Sequence, residues 1–281
     1  MKAILNFLAL ARLDKPVGIF LLFWPTLWGL LFATHGNISI SDMLIFGLGV
    51  LLTRSAGCVL NDLLDQDFDR KVKRTSNRPL ACHNIKTKEA IYFFSSLIFL
   101  AAMLVYFINP DAYLMIFWAL VLLLIYPLSK RIFWIPQIFL AAAFSIPVLI
   151  VYKHLGMSLD RITWTIFFAN FFWVMAYDSV YAMADLVDDK RIEIYSAPKT
   201  FGKYGHKIIL SFYFLSALLF LILGKLNQFS FVYFVLIFCL LFGTFFYYRK
   251  FVFLNTRYIN FFNKNNWLGL FWSVLFYYFL T

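Results

Sequence analysis

The sequence predicts an all-α protein, a multi-spanning membrane bundle of about nine helices forming a single domain over residues 1–281. Three observations carry that expectation. Of the 281 residues, 63% are hydrophobic and 14% charged, against about 45–50% and 25% in ordinary soluble domains. The apolar excess, with 36 Phe, 16 Tyr and 8 Trp, is spread along the whole chain and does not form one anchor. Apolar stretches long enough for a roughly 30 Å hydrocarbon layer recur along it, and basic residues gather in alternate gaps between them.

The first residues, Met1 to Ala11, hold Lys2 and a short apolar run, followed by Arg12, Asp14 and Lys15. A cleavable leader ends in small residues, not charges, so an amphipathic helix at the membrane surface is expected here. Spans follow at about 16–34, 43–60, 90–108, 112–128, 134–152, 163–183, 207–223, 230–248 and 266–280. Their connections differ sharply in charge. Basic residues are found at the start of the chain, from Arg54 to Lys88, at Lys130 and Arg131, from Lys190 to Lys207 and from Arg249 to Lys264. Together these hold 22 of the 25 lysines and arginines, and the intervening connections hold only Lys153, Arg161 and Lys225. Cytoplasmic loops are enriched in Lys and Arg, so the N-terminus is expected in the cytoplasm of a bacterial-type inner membrane.

The net charge of +11 suits loops facing anionic lipid, and nucleic acid is not an expected partner. Cys58, Cys82 and Cys239 are scattered, as are the four histidines, so neither a disulfide framework nor a zinc site is indicated.

Eight of the 14 acidic residues fall in two short windows: Asp62, Asp65, Asp67 and Asp69, then Asp178, Asp185, Asp188 and Asp189. Asn61, Asp65 and Asp69 recur at i, i+4 and i+8, which on a helix places them within an arc of about 80°. Asp185 and Asp189 are one turn apart, and Asp178, seven residues before Asp185, would share nearly the same face of a continuous helix. The two windows are offset by 124 residues, a hint of duplication. Both windows stand at the cytoplasmic ends of spans, so they are expected to converge.

Carboxylates stacked at a membrane boundary repel one another and need a cation. Oxygen donors at helical spacing suit Mg²⁺, with substrate phosphates completing its shell. Asp67 is the exception, expected as a solvated residue. Arg70, Arg74, Arg78, Lys130 and Arg131 lie on the same side and could meet phosphate oxygens, or equally anionic lipid. Arg54, seven residues before Asn61, lies on the same face about two turns deeper, and an arginine inside the membrane is a functional candidate by default.

These motifs, Asn61 to Asp69 as NDxxDxxxD and Asp185 to Asp189 as DxxxD, resemble those of the UbiA superfamily of membrane prenyltransferases. LDKPVG (Leu13 to Gly18), RSAGCVLND (Arg54 to Asp62), RTSNRPL (Arg74 to Leu80), YPLSKR (Tyr126 to Arg131), Pro136-Gln137 and YDSVYAMADLVDD (Tyr177 to Asp189) look like its 4-hydroxybenzoate polyprenyltransferase branch. The likeness runs from about residue 12 to 202. Departures from the family pattern are Val187, the stretch of Glu193, Tyr195, Ser196 and Ala197 where GxKST is usual, and His83-Asn84 where glycine is frequent.

The resemblance implies a nine-helix bundle with a central cavity open to the cytoplasm, joining a long isoprenoid to an aromatic acid in ubiquinone synthesis. On that basis Asn61, Asp65 and Asp69 are expected to bind one Mg²⁺ and Asp185 and Asp189 another, with Asp62 and Asp188 assisting. Asp65, Asp69, Asp178, Asp185 and Asp189 carry the catalytic roles, Asp178 by orienting the phenol or taking up a proton. Arg54 or Arg131 would anchor the substrate carboxylate, while Arg70, Arg74, Arg78, Tyr126 and Lys130 complete the contacts to polyprenyl diphosphate and 4-hydroxybenzoate. No obligate protein partner is expected. Competing readings are another aromatic or quinone-type acceptor, such as homogentisate, a naphthoate derivative or haem, and a cation transporter, whose acids should lie near the bilayer midplane.

Overall fold

The computed structural model describes residues 2–191 and 194–281, and all regular structure among them is helical. In hydrocarbon each backbone N–H and C=O must find its partner within the segment, so apolar runs of this length close as helices. The short α1 (Lys2–Leu10) precedes α2 (Val17–Ala33), α3 (Ile40–Asp69), α4 (Thr87–Val105), α5 (Tyr113–Ser129), α6 (Gln137–His154) and α7 (Arg161–Met183). Two short helices, α8 (Leu186–Arg191) and α9 (Ala197–Phe201), lead to α10 (Gly205–Leu226), α11 (Phe231–Tyr248) and α12 (Tyr258–Leu280). Seven of these, α3 to α7, α10 and α11, are long and apolar enough to cross a membrane; α2 is a shorter apolar helix of 17 residues, and α12 has 23. The chain is a multi-span membrane protein.

Most helix limits lie within a few residues of those expected, with two informative differences. The second span runs on to Asp69 instead of stopping near residue 60, because Asn61 to Asp69 contains neither Gly nor Pro to break it. Ser39 starts this 30-residue helix by accepting the Asp42 N–H at 3.0 Å. The second difference is a correction. Helix α7, capped by Asp160 accepting the Thr163 N–H at 2.9 Å, ends at Met183, and Ala184-Asp185 forms a turn before α8. Asp178 and Asp185 therefore do not share one continuous helix face. The side chains of Asp188 and Asp189, and Glu193 entirely, lie outside the described residues. His83 adopts φ 60°, the left-handed region that glycine favours.

Packing divides the bundle. Helix α7 lies at the centre of the tight half, against α2, α6, α10 and α12. There Trp28 meets Trp173, Phe220 and Phe276 with ring centroids 5.3, 5.5 and 5.7 Å apart. The Trp28 indole N–H donates to Ser273 Oγ at 2.9 Å, so this aromatic cluster leaves no buried tryptophan donor unmet there. Helices α4 and α5 lie outside it, with 11% and 17% of their spans buried against 67% for α7. Phe99, Met103, Phe117 and Trp118 on these two helices are exposed, an arrangement suited to lipid. Between the tight half and α3 to α5 is a cavity of about 980 Å³. Near the start of α3, His154 Nε2 lies 3.1 Å from Asp42 Oδ1 while Nδ1 accepts the Asn109 N–H at 3.2 Å, tying α3, α6 and the α4–α5 connection together.

Candidate active site

The cavity is polar at one end and apolar along the rest, and α3 sets both characters. Its final turns present Asn61, Asp62, Asp65 and Asp69 to the cavity, and its earlier turns present Gly49, Val50 and Thr53. Around the earlier turns the wall is apolar: Ile98, Ala101 and Val105 from α4, Ile116, Leu120 and Leu123 from α5, and Pro147 and Ile150 from α6. Arg54 stands at the junction, about 10 Å along the helix axis from Asn61.

At the polar end Asp62, Asp65, Asp69 and Asp185 are each paired with a cation. Arg12 Nη2 donates to both Asp62 oxygens at 2.7 and 2.8 Å. Arg78 Nη1 donates to Asp62 Oδ1 at 3.1 Å and to the Asp69 oxygens at 3.0 and 2.8 Å. Lys130 Nζ donates to Asn61 Oδ1 at 2.9 Å and to Asp65 Oδ2 at 3.4 Å. Arg74 bridges Asp185 and the Tyr181 hydroxyl, the latter at 2.6 Å. Burial works against the Arg78 charge, but Asp62 and Asp69 outweigh it and raise the guanidinium above its ordinary value. Burial likewise opposes the Arg74 charge, and its hydrogen bond to Asp185 overcomes it. Asp62, Asp65 and Asp69 are buried, so these partners are what make ionised carboxylates tolerable there.

The structure brings Asn61, Asp62, Asp65, Asp69, Arg74, Arg78, Tyr126, Lys130, Asp178, Asp185 and Arg54 to one cavity. It does not bring all the expected residues. Arg70 is off the cavity wall, paired with exposed Asp67 at 3.1 Å and with the Ala81 carbonyl. Nine residues past Asn61, it falls about half a turn away from the acidic stripe, a phase the sequence already contains. Arg131 is also off the wall: it donates to the Leu64 carbonyl at 2.7 Å, approaches Asp65 only to 3.7 Å and covers the Phe68 ring. Sequence reasoning counted Arg12 only as a topological charge. Its pairing with Asp62, fifty residues away, had no local signal beyond its place in the loop before LDKPVG.

Among the described residues no three acidic, histidine or cysteine side chains converge as a preformed metal centre. The donor chemistry nonetheless fits a hard divalent cation: Asn61, Asp65 and Asp69 on one face of α3, and Asp185, supply only oxygen and border the same cavity. To meet a cation these side chains must turn from Lys130, Arg78 and Arg74. Those bases are then free for phosphate oxygens, so cation and diphosphate entering together alter the local charge balance little.

Arg54 differs from the other cations. Its Nε is buried without a hydrogen-bond partner, and its Cζ lies 5.3 Å from the Phe144 ring centroid. Cys58, Tyr126, Tyr177 and the carboxyl of Asp178 lie near it, and the Tyr177 hydroxyl is also buried without a partner among the described residues. A buried guanidinium N–H left unmet costs free energy that a ligand's acceptor would recover.

Comparison with known proteins gives a consistent picture. The model of the UbiA prenyltransferase family matches residues 22–275, well into the final third that the motifs left uncovered. The chain is 42% identical over 233 residues to the 4-hydroxybenzoate octaprenyltransferase of Actinobacillus pleuropneumoniae serotype 3 (strain JL03), covering 83% of this chain and 80% of that one. It is 40% identical over 264 residues to the 4-hydroxybenzoate octaprenyltransferase of Francisella tularensis subsp. novicida (strain U112), covering 93% and 92%. Its fold is like that of a UbiA homolog from Aeropyrum pernix K1 (TM-score 0.79, 21% identity, 92% and 96% covered). A UbiA homolog from Archaeoglobus fulgidus, bound to GPP and Mg²⁺, is similar in fold at TM-score 0.74 and 19% identity, with 98% of each chain covered.

Proposed function

The chain belongs to the UbiA prenyltransferase family, and from that premise we propose that it transfers a polyprenyl group from polyprenyl diphosphate to 4-hydroxybenzoate. The new bond forms at the ring carbon ortho to the phenol, a step of ubiquinone biosynthesis. The observation that carries the proposal is the division of the cavity: a charged end built on α3 and the turn after α7 opens directly into an apolar channel. A substrate with a diphosphate head and a long hydrocarbon tail has that division.

Asn61, Asp65 and Asp69, with Asp185 and Asp189, would hold Mg²⁺. When bound, the ion supplies charge neutralisation to the departing diphosphate. Arg74, Arg78 and Lys130 exchange carboxylate for phosphate oxygens and stabilise the charge that grows on the leaving group. Asp62, held by Arg12, keeps the Arg78 guanidinium in place when Asp69 turns away. The apolar wall of the cavity excludes water from the allylic carbon. Arg54, whose side chain borders the cavity, receives the carboxylate of the aromatic acid on its guanidinium, which orients the phenol ring. Asp178, on α7 and on the wall of the same cavity, takes the proton that the ring carbon releases once the new carbon–carbon bond has formed.

The polar end and the N-terminus are assigned to the cytoplasmic side of an inner membrane, on the 22-to-three distribution of basic residues. A membrane assay with 4-hydroxybenzoate, magnesium and polyprenyl diphosphates of graded length, read by product mass, tests the proposal. Prenylated 4-hydroxybenzoate is expected. Its absence with every diphosphate, alongside prenylation of homogentisate or a naphthoate, would assign the acceptor differently.

A further inference from the structure

Gly18 is the second residue of α2, and its φ lies outside the left-handed region. Neither a turn nor backbone strain requires glycine there, and within a helix glycine is less favourable than alanine. What distinguishes the position is its neighbour. A Cβ at residue 18 would stand 2.9 Å from Arg54 Nη2, 3.0 Å from Nε and 3.3 Å from Cζ. Of the twelve glycines in the chain, this is the one whose added Cβ would strike a charged side chain among the described residues; Gly29, Gly224 and Gly269 instead admit Val148, Tyr233 and Trp24.

Among the described residues Arg54 has no hydrogen-bond partner at Nε, and it is not fixed by an ion pair as Arg12, Arg74 and Arg78 are. Its placement therefore depends on shape. Gly18 and the Phe144 ring are two of the surfaces it packs against, beside Cys58, Tyr126, Tyr177 and Asp178. We propose that Gly18 is a positioning residue for the aromatic acid: its bare Cα seats the Arg54 guanidinium, and so fixes where the substrate carboxylate binds. The proposal rests on the reading of Arg54 as the carboxylate anchor. It gives the glycine that ends LDKPVG a chemical task, discrimination for an acidic acceptor.

Ordinary contact with a Cβ begins at 3.4 Å. Gly18→Ala therefore moves the guanidinium by about half an ångström, a displacement worth about tenfold where a bound geometry must be held. The expected result is a rise of about tenfold in KM for 4-hydroxybenzoate, with kcat and the KM for polyprenyl diphosphate within about twofold. Arg54→Ala alone must raise KM for the aromatic acid, and adding Gly18→Ala to it must then change nothing further, since the group the glycine seats is gone.

If Arg54→Ala raises that KM but Gly18→Ala does not, the seating role is overturned and the anchor reading stands. The seating role is also overturned if Gly18→Ala has the same effect with Arg54 absent, or weakens both substrates equally, because the glycine then acts only through α2 packing. An Arg54→Ala variant with unchanged KM for the aromatic acid refutes the anchor reading itself, and the inference with it.

Discussion

Replacing Arg78 by alanine tests whether the cations at the polar end are structural partners of the acidic motif. Arg78 makes three hydrogen bonds, at 3.1, 3.0 and 2.8 Å, to Asp62 and Asp69. Its side chain is 18% exposed, and those of Asp62 and Asp69 are 1% and 10% exposed. Removing one partner of a buried ion pair costs about 3–5 kcal/mol, most of it from the charge left behind. Asp62 retains both Arg12 contacts, so the orphaned charge is chiefly Asp69, and the expected loss is about 2–3 kcal/mol. Adding Asp69→Asn removes that charge and should recover about half the loss. Thermal unfolding of the purified protein in detergent micelles, for the two single variants and the double variant, reads both quantities. A loss below about 0.5 kcal/mol for Arg78→Ala, typical of an exposed pair, would refute the reasoning, as would a double variant no better than the single one.

Four further outcomes follow from the site. Asp65→Ala or Asp189→Ala should lower product formation by at least about a hundredfold, and full magnesium-dependent turnover in either variant would remove it from the ligand set. Chelation of divalent cations with EDTA should stop turnover and added magnesium restore it, with 4-hydroxybenzoate and diphosphate held constant; turnover that survives chelation contradicts the ligand assignment. Arg70→Ala should leave kcat/KM within about twofold because its side chain is off the cavity wall, whereas Lys130→Met should lower it by about a hundredfold. Equal effects of those two variants in the membrane assay would mean that cavity lining does not sort the cations.

Much of the fold was legible because bilayer thickness leaves few choices: an apolar run of about twenty residues has to be a helix, and only its ends are free to vary. Helical phase also served the first acidic window, where α3 continues unbroken through Asp69. It misled at the second. Phase carries across seven residues only if the helix does, and Ala184-Asp185 turns without the Gly or Pro that would have announced it. Asp185 and Tyr181 are instead joined by Arg74, over a hundred residues earlier, a contact no local pattern encodes. The same holds for Arg12 with Asp62. Lys130 was identified but its partners Asn61 and Asp65 were not, because pairing between α5 and α3 is settled by how the bundle packs.

The uneven packing of the bundle has a consequence for how the protein comes apart. Opening free energies within one fold range from near zero to the global value, and they follow buried apolar contact. The aromatic cluster of Trp28, Trp173, Phe220 and Phe276 should therefore hold its half of the bundle together longest, while α4 and α5, buried against the rest of the protein over only 11% and 17% of their spans, should detach first. These loosely held helices also line the apolar channel. The wall that must yield to a long hydrocarbon chain is the one whose stability is borrowed from the surrounding lipid, so the thickness and fluidity of the membrane become part of the energetics of loading.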